Sequence, residues 1–223
     1  GQTGTSGNVS WQVVSWQGAV VQNGSGSAIA ATTITSNINS VNLNNSFIVF
    51  SNRLSGDTSI QDLFTQGRFT SSNQVQFIRY ANGGNLYVEY FVIEFPRLKS
   101  QSGIYYFVAT TTPQNITISR LVNTSKSFDI HSHWNTGTAT SFANAFMTQK
   151  IENSTILQLQ KGTASQNGNT SWFVLEIVEL EKPIVNLIYP YDSYNFSSFT
   201  ISQFNYSVFD NSSLDNCSLY GNW

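Results

Sequence analysis

The sequence predicts an all-β protein built from tandem antiparallel β-sandwich domains. Short runs of Val, Ile, Phe, Tyr and Thr alternate with clusters of Gly, Asn, Ser and Asp along the chain. Only four prolines occur, and no long stretch has a convincing helical period. One strand signature also occurs three times, at residues 11–16, 87–95 and 172–180, which indicates an internal repeat.

The elements follow from these runs and the turn residues between them. One helical turn is predicted at 58–64, where Thr58 could cap it. The predicted strands are 10–16, 28–35, 40–51, 62–70, 73–80, 86–95, 104–110, 115–121, 126–134, 141–149, 154–160, 171–181, 184–189, 199–208 and 216–220. Regular short strands of this kind favour Ig-like or jelly-roll-like sandwiches.

The strand at 87–95 organises this prediction. Its sequence, YVEYFVIEF, is apolar except at Glu89 and Glu94. Successive side chains of a strand point to opposite faces, so we expect both faces to be buried. The two apolar sets are Val88, Tyr90 and Val92 on one face, and Phe91, Ile93 and Phe95 on the other.

The repeated segments align at an offset that grows along the chain, as loop insertions would cause. It is 79 residues for Trp11, Trp16, Gln22 and Gly24, 81 for Ser51, 82 for Gln76 and 85 for Tyr87, which aligns with Trp172. The predicted parts are a tail and extra strand (1–16), repeat 1 (17–96), repeat 2 (97–181) and a partial Ig-like module (182–223).

The extra strand at 10–16 resembles the last strand of a repeat, but the other strands of a repeat do not precede it. Two alternatives stay open: it pairs within the first repeat, or it enters the sheet of a neighbouring molecule. The candidate residues for an exchanged strand are Trp11, Val13, Val14 and Trp16.

Composition excludes some classes of function. Charged residues are only 10%, against about 25% in typical globular proteins, and the net charge is −2. No basic patch suggests nucleic acid, and no apolar run approaches the ~20 residues of a membrane-spanning helix. The single cysteine, Cys217, excludes an internal disulfide; it is either a buried small side chain or has a partner beyond Trp223.

Two stretches resemble known modules. SWQVVSW (10–16) with VQNG (21–24), and YFVIEFP (90–96) with SQSG (100–103), resemble a tandem β module of extracellular and virion-associated proteins. The last forty or so residues resemble Ig-like modules of archaeal surface proteins, which implies that this chain is part of a longer protein. The matching positions are Pro183, Val185, Leu187, Pro190, Phe204, Tyr206, Val208, Asp210, Asn216, Cys217, Leu219 and Tyr220.

Asn-x-Ser/Thr sequons are numerous. In a secreted protein they would be glycan acceptors on turns and strand edges; otherwise they are turn-forming polar residues. The acceptors are Asn8, Asn23, Asn44, Asn115, Asn123, Asn153, Asn169, Asn195, Asn205, Asn211 and Asn216.

No catalytic constellation, metal site or cofactor site is predicted. His131 and His133 share a strand face with Asp129, but a zinc site needs a fuller ligand set, so structural or surface histidines are favoured. Glu89 and Glu94 lie on opposite faces of one strand and cannot flank a glycosidic bond. The tail aspartates Asp192, Asp210 and Asp215 have no EF-hand-like spacing.

We therefore expect a non-enzymatic, extracellular structural protein at a cell or virion surface. It would be a subunit of a filament, appendage or surface layer, polymerising with itself or binding other surface proteins through β-strand exchange. The alternative is an adhesin or viral receptor-binding fibre that recognises carbohydrate with exposed aromatic residues.

Overall fold

The structure, a computed structural model, describes residues 13, 15–56, 62–136, 146–162, 166–178, 184–189 and 205–209. It confirms the all-β prediction, with antiparallel three-stranded sheets that pack as sandwiches. The chain divides into two compact units, Gly1–Ile177 and Val178–Trp223. In the second unit, β13 (Ile184–Tyr189) pairs antiparallel with β14 (Asn205–Phe209).

The first half of the larger unit contains six strands. They are β1 (Val20–Ile29), β2 (Thr33–Asn37), β3 (Ser46–Ser55), β4 (Thr65–Ser71), β5 (Gln74–Arg79) and β6 (Asn85–Glu94). One sheet has the order β1-β6-β3 and the other β2-β5-β4. The predicted strand 40–51 is wrong in its first part, because β3 begins only at Ser46, after a short 3-10 helix at Leu43–Asn45.

The second half repeats this arrangement. Its strands are β7 (Leu98–Phe107), β8 (Gln114–Thr117), β9 (Ser127–Asn135), β10 (Met147–Asn153), β11 (Ile156–Lys161) and β12 (Gly168–Ile177). The sheet orders β7-β12-β9 and β8-β11-β10 match those of the first half strand for strand. The register shift between Phe69 and Ser71 also recurs, between Ile151 and Asn153.

Side-chain hydrogen bonds at the turns repeat as well. The Gln22 amide donates to the carbonyl of Asn39 at 3.1 Å and accepts from its N–H at 2.7 Å. Gln101 forms the same pair of bonds with Arg120, at 2.9 and 3.1 Å. Both halves belong to one compact unit, so the boundaries at 17–96 and 97–181 stay predictions.

Glycine–aromatic pairs set the register of the two halves. Gly24 lies opposite Tyr90, and a Cβ at Gly24 would lie 2.5 Å from the Cζ atom of the Tyr90 ring. Gly103 lies opposite Trp172, and a Cβ there would meet that ring at 2.5 Å. The structural counterpart of Trp172 is therefore Tyr90, and the alignment of Tyr87 with Trp172 is wrong.

Several predicted elements need correction. β1 and the first part of β7 were missed, because VVQNGSGSAI and LKSQSG are rich in Gly, Ser, Asn and Gln, which are typical of turns. The predicted strand 141–149 begins later, at Met147. Of the predicted helical turn at 58–64, residues 58–61 fall outside the described residues, as do the strand at 216–220 and much of 10–16 and 199–208. Residues 62–64 form a turn before β4, which begins at Thr65 and not at 62.

The prediction that 87–95 is buried on both faces is wrong. In β6 the side chains of Leu86, Val88, Tyr90 and Val92 are buried, whereas Glu89 and Phe91 on the other face are exposed. Its counterpart β12 is the strand with two buried faces, because Trp172 to Leu175 are all buried. The two strands differ because, in the part of the chain that the structure describes, the other half covers the outer face of β12 and leaves Phe91 of β6 exposed.

The two cores reflect this difference. Trp172 and Val174 pack into the core of the second half with Phe107, Leu157 and Leu159. Phe173 and Leu175, on the opposite face of the same strand, join the core of the first half. Each successive residue of β12 therefore serves a different core, and the first core is completed by the second half of the chain.

Candidate assembly surface

Two equivalent sheet faces point away from the sandwich interiors. The register of β3 with β6 places Val49 beside Phe91, and that of β9 with β12 places Ile130 beside Phe173. We call Val49, Ser51, Tyr87, Phe91 and Ile93 the first outer face. Ile130, Ser132, Asn169, Phe173 and Leu175 form the second outer face, position for position.

The second outer face is covered by β4 of the first half. Phe69 meets Phe173 edge-to-face at 5.9 Å between ring centroids. The N–H of Gly67 donates to Ser132 Oγ at 2.9 Å, and Gln66 Nε2 donates to Asn169 Oδ1 at 3.4 Å. We call this contact the internal junction; it closes the side of the first sandwich that lies between its edge strands β3 and β4.

Within the described residues the first outer face lacks this cover, and it resembles the second face at Val49, Phe91 and Ile93. It differs at Glu89, which is exposed beside Ser51, where the second face has the buried Ser171. Phe91 is 48% exposed, whereas its counterpart Phe173 is 4% exposed. Ser51 is exposed, whereas Ser132 is half-buried and bonded across the internal junction. Val21 of the neighbouring strand, which pairs with Ile93, adds further exposed apolar surface. This face is therefore a candidate interaction surface.

Comparisons with known proteins do not assign this chain to a family. No family model, curated protein or solved structure matches it. The resemblances to a tandem extracellular β module and to archaeal Ig-like modules stay predictions.

The candidate exchanged strand is only partly described. Val13 is 80% exposed, Trp16 is half-buried, and Trp11 and Val14 lie outside the described residues. Trp16 stacks on Phe95 at 5.6 Å and meets Phe47 edge-to-face at 6.1 Å. Phe47 belongs to the same face of β3 as Val49, so Trp16 covers one end of the first outer face.

The residues that lead into each half adopt the same turn. The N–H of Ala19 donates to the carbonyl of Trp16, and the N–H of Leu98 donates to the carbonyl of Phe95. Trp16 therefore stands before β1 as Phe95 stands before β7. Phe95 directly follows the central strand β6, so residues 10–15 correspond in sequence to the end of a central strand.

Asp129 and His131 lie between the edge strands β9 and β10, on what we call the open side of the second half, whereas His133 is buried against the first half. Asp129 Oδ2 accepts a hydrogen bond from Gln149 Nε2 at 3.1 Å and lies 3.7 Å from His131 Nδ1. His133 stacks on Phe64 at 5.1 Å, beside a cavity of about 400 Å³ at the internal junction. Within the described residues no group of three His, Cys, Asp or Glu side chains is placed to hold a metal ion.

A buried cationic side chain lies at the end of the fifth strand of each half, β5 and β11. Arg79 donates through its guanidinium to the carbonyls of Ala31, Gly83 and Gly84. Its counterpart Lys161 donates to the carbonyl of Gln166, and burial lowers the pKa of Lys161 from 10.5. These bonds tie the turn before the central strand to the sheet, which is a structural role.

The sequons divide into two groups. The acceptors with exposed side chains are Asn23, Asn44, Asn115, Asn123 and Asn153. Asn169 instead lies in the internal junction, half-buried and bonded to Gln66. Of the others, Asn205 begins β14, and Asn8, Asn195, Asn211 and Asn216 lie outside the described residues.

Two further observations bear on partners. Tyr80, 45% exposed, stacks on Trp134 at 5.7 Å and forms an aromatic surface patch.

In the parts of the chain that can be described, no helix has the length and hydrophobicity of a membrane span.

Sequence reasoning missed the two outer faces as a matched pair. The signal was available, because Val49 and Ile130, Ser51 and Ser132, and Phe91 and Phe173 agree in type. The offsets of 81 and 82 residues would have aligned them once β3 and β6 were treated separately.

Proposed function

We propose that this chain is a non-enzymatic, extracellular structural protein that assembles into a filament or surface layer at a cell or virion surface. The observation that carries the proposal is the turn at Trp16, which matches the turn at Phe95. Residues 10–15 have the sequence of the end of a central strand, yet they precede the first strand of the first sheet.

The sheets β1-β6-β3 and β7-β12-β9 already contain their central strands, β6 and β12. A further strand of this type has to pair at a sheet edge, and the edges are β1, β3, β7 and β9. An unpaired apolar strand is an aggregation hazard, whereas an exchanged one gains main-chain hydrogen bonds and pockets for alternate side chains. Exchange between molecules therefore supplies both the driving force and the specificity of assembly.

The surface chemistry supports assembly through apolar contact and an extracellular location. A charge-poor surface of Ser, Thr, Asn and Gln gives little electrostatic steering, so association depends on shape and apolar contact. The exposed acceptors Asn23, Asn115, Asn123 and Asn153 are sterically open to glycans. The resemblance to extracellular and virion-associated β modules points the same way.

Removal of residues 1–14 tests the proposal while Trp16 keeps its contacts with Phe47 and Phe95. The full chain should form concentration-dependent polymers in sedimentation velocity and electron microscopy, and the truncated chain should not. A control chain keeps the length but replaces residues 10–14 by Gly and Ser, and it should also fail to assemble. Assembly that persists unchanged in both variants would refute strand exchange.

A carbohydrate-binding adhesin is the second candidate, favoured by the exposed stack of Tyr80 on Trp134. Flat aromatic pairs at a surface can bind the apolar face of a sugar. Glycan-array binding that is lost in Tyr80→Ala and retained in Tyr106→Ala, a similarly exposed tyrosine on β7, would support it. Absence of binding by the intact chain would reject it.

A further inference from the structure

We propose that the first outer face docks on the open side of the second half of another copy of this chain. The contact would reproduce the internal junction between molecules and would propagate head to tail. This inference rests on the proposed assembly function, and it names a second surface for assembly besides the exchanged strand.

The internal junction shows what such a face is built to contact. Phe173 and Leu175 complete the core of the first half, and Ser132 and Asn169 accept hydrogen bonds from β4. The first outer face presents Phe91, Ile93 and Ser51 at the positions of Phe173, Leu175 and Ser132. The first outer face matches the buried one in residue type at four of its five positions, all except Tyr87 and Asn169. Its Ser51 and Phe91 are exposed, so it is suited to the same kind of partner.

The partner surface is also present in the chain. The counterparts of Phe69 and Gln66 in the second half are Ile151 and Thr148, which follow from the shared register of β4 with β5 and of β10 with β11. Gln66 is fully buried in the internal junction, whereas Thr148 is exposed. Ile151 is half-buried against the core of the second half, as Phe69 is against the core of the first.

The two surfaces lie on different parts of the molecule, so their contact is heterologous. A heterologous contact forms an open chain of subunits unless the rotation between them closes a ring. The footprint leaves Asn23 of the edge strand β1 uncovered, because its counterpart Ser102 is exposed, whereas Ser100, the counterpart of Val21, is buried. A glycan on Asn23 therefore stands at the rim of the contact.

The polymerisation test replaces Phe91 by Asp in the full chain. The matched control is Ile104→Asp, because Ile104 is similarly exposed (46% against 48%) on an outer face but lies outside the footprint. We expect Phe91→Asp to weaken self-association at least tenfold in sedimentation equilibrium, with Ile104→Asp unchanged. Circular dichroism and thermal unfolding at a low concentration check that both variants fold.

A second experiment identifies the partner surface. Tyr87 and Thr148 are the counterparts of Asn169 and Gln66, whose side chains touch in the internal junction. Chains carrying Cys217→Ser with either Tyr87→Cys or Thr148→Cys are mixed and treated with a short bismaleimide. Cross-linked dimers should form rapidly in the mixture and much more slowly with either variant alone.

The outcomes separate this inference from the proposed function. Polymers that survive Phe91→Asp, with no mixed cross-link, but disappear on removal of residues 1–14, would overturn the docking face and keep strand exchange. The docking face is supported if Phe91→Asp abolishes the polymers and the mixed cross-link forms between chains that keep Phe91. A chain that is monomeric at all concentrations overturns both.

Discussion

Replacement of Phe173 by Ala should destabilise the chain far more than replacement of Phe91. The two residues occupy equivalent positions, on β12 and β6, and have the same side chain. Phe173 is 4% exposed and contacts Phe69 in the first core, whereas Phe91 is 48% exposed. Comparison of the two variants therefore separates the stability lost by uncovering the internal junction from the stability lost by removing any Phe side chain.

The magnitudes follow from burial. Truncation of a buried Phe to Ala costs about 3–5 kcal/mol, from lost transfer energy and the cavity that remains. Full burial of a large apolar side chain contributes roughly 1.5–3 kcal/mol, so a half-exposed Phe91 should lose about 1 kcal/mol. We expect a difference of at least about 2 kcal/mol between the two variants.

Urea unfolding at a concentration where the chain is monomeric measures this difference. If the internal junction couples the two halves, Phe173→Ala should also broaden or split the transition, because the first core loses its closing side chain. Equal losses in the two variants would show that the second outer face is not covered in solution, and would refute the reasoning on which the docking face rests.

Three further outcomes follow from single contacts. Gly103→Ala should cost about 1–3 kcal/mol, because its Cβ would meet the Trp172 ring, whereas Gly162→Ala, with open space around it, should cost much less; urea unfolding measures both. Lys161 has a lowered pKa, so its penalty on folding is fully present below the folded-state pKa and is relieved as pH rises towards 10.5. The stability gap between wild type and Lys161→Met should therefore change across that range, and a constant gap would contradict the burial of the ammonium group. In a glycosylating secretory host, glycopeptide mass spectrometry should find Asn115 occupied and Asn169 empty, since Asn169 is bonded within the internal junction; a glycan on Asn169 of folded protein would contradict that junction.

The fold class and many of the strands could be predicted because alternation and turn residues are local signals. β1 could not, because its Gly24 and Gly26 look like turn residues although they make room for Tyr90 and Ile34. That room is a property of the neighbouring strand and of the sheet packed opposite. The sequence contained the pair Gln22 and Gln101, but their shared role in holding a turn is visible only in three dimensions.

The burial of the outer faces could not be predicted from the strands themselves. Phe91 and Phe173 stand in similarly apolar stretches, and the expectation that 87–95 has two buried faces applies to β12 instead. What decides burial is whether another sandwich lies against the face. That information belongs to the contact between halves and not to either strand.

The two open sides differ in a way that fits one permanent and one reversible contact. In the first half, Ile48, Phe50 and Gly67 line the side that Phe173 closes. The second half has Asp129, His131 and Gln149 at these positions, and Asp129 and Gln149 bond directly across β9 and β10.

This polar bridge pairs the Asp129 carboxylate with the Gln149 amide N–H and gives the open side of a free molecule a polar character, as in the end repeats of stacked proteins. It also lowers the gain from docking, because burial of a carboxylate and an imidazole offsets part of the apolar contribution of Phe91 and Ile93. A contact between copies at this surface should therefore be weaker than the internal junction. The chain would then fold as a stable monomer first and assemble only at high local concentration, with the exchanged strand supplying the rest of the affinity.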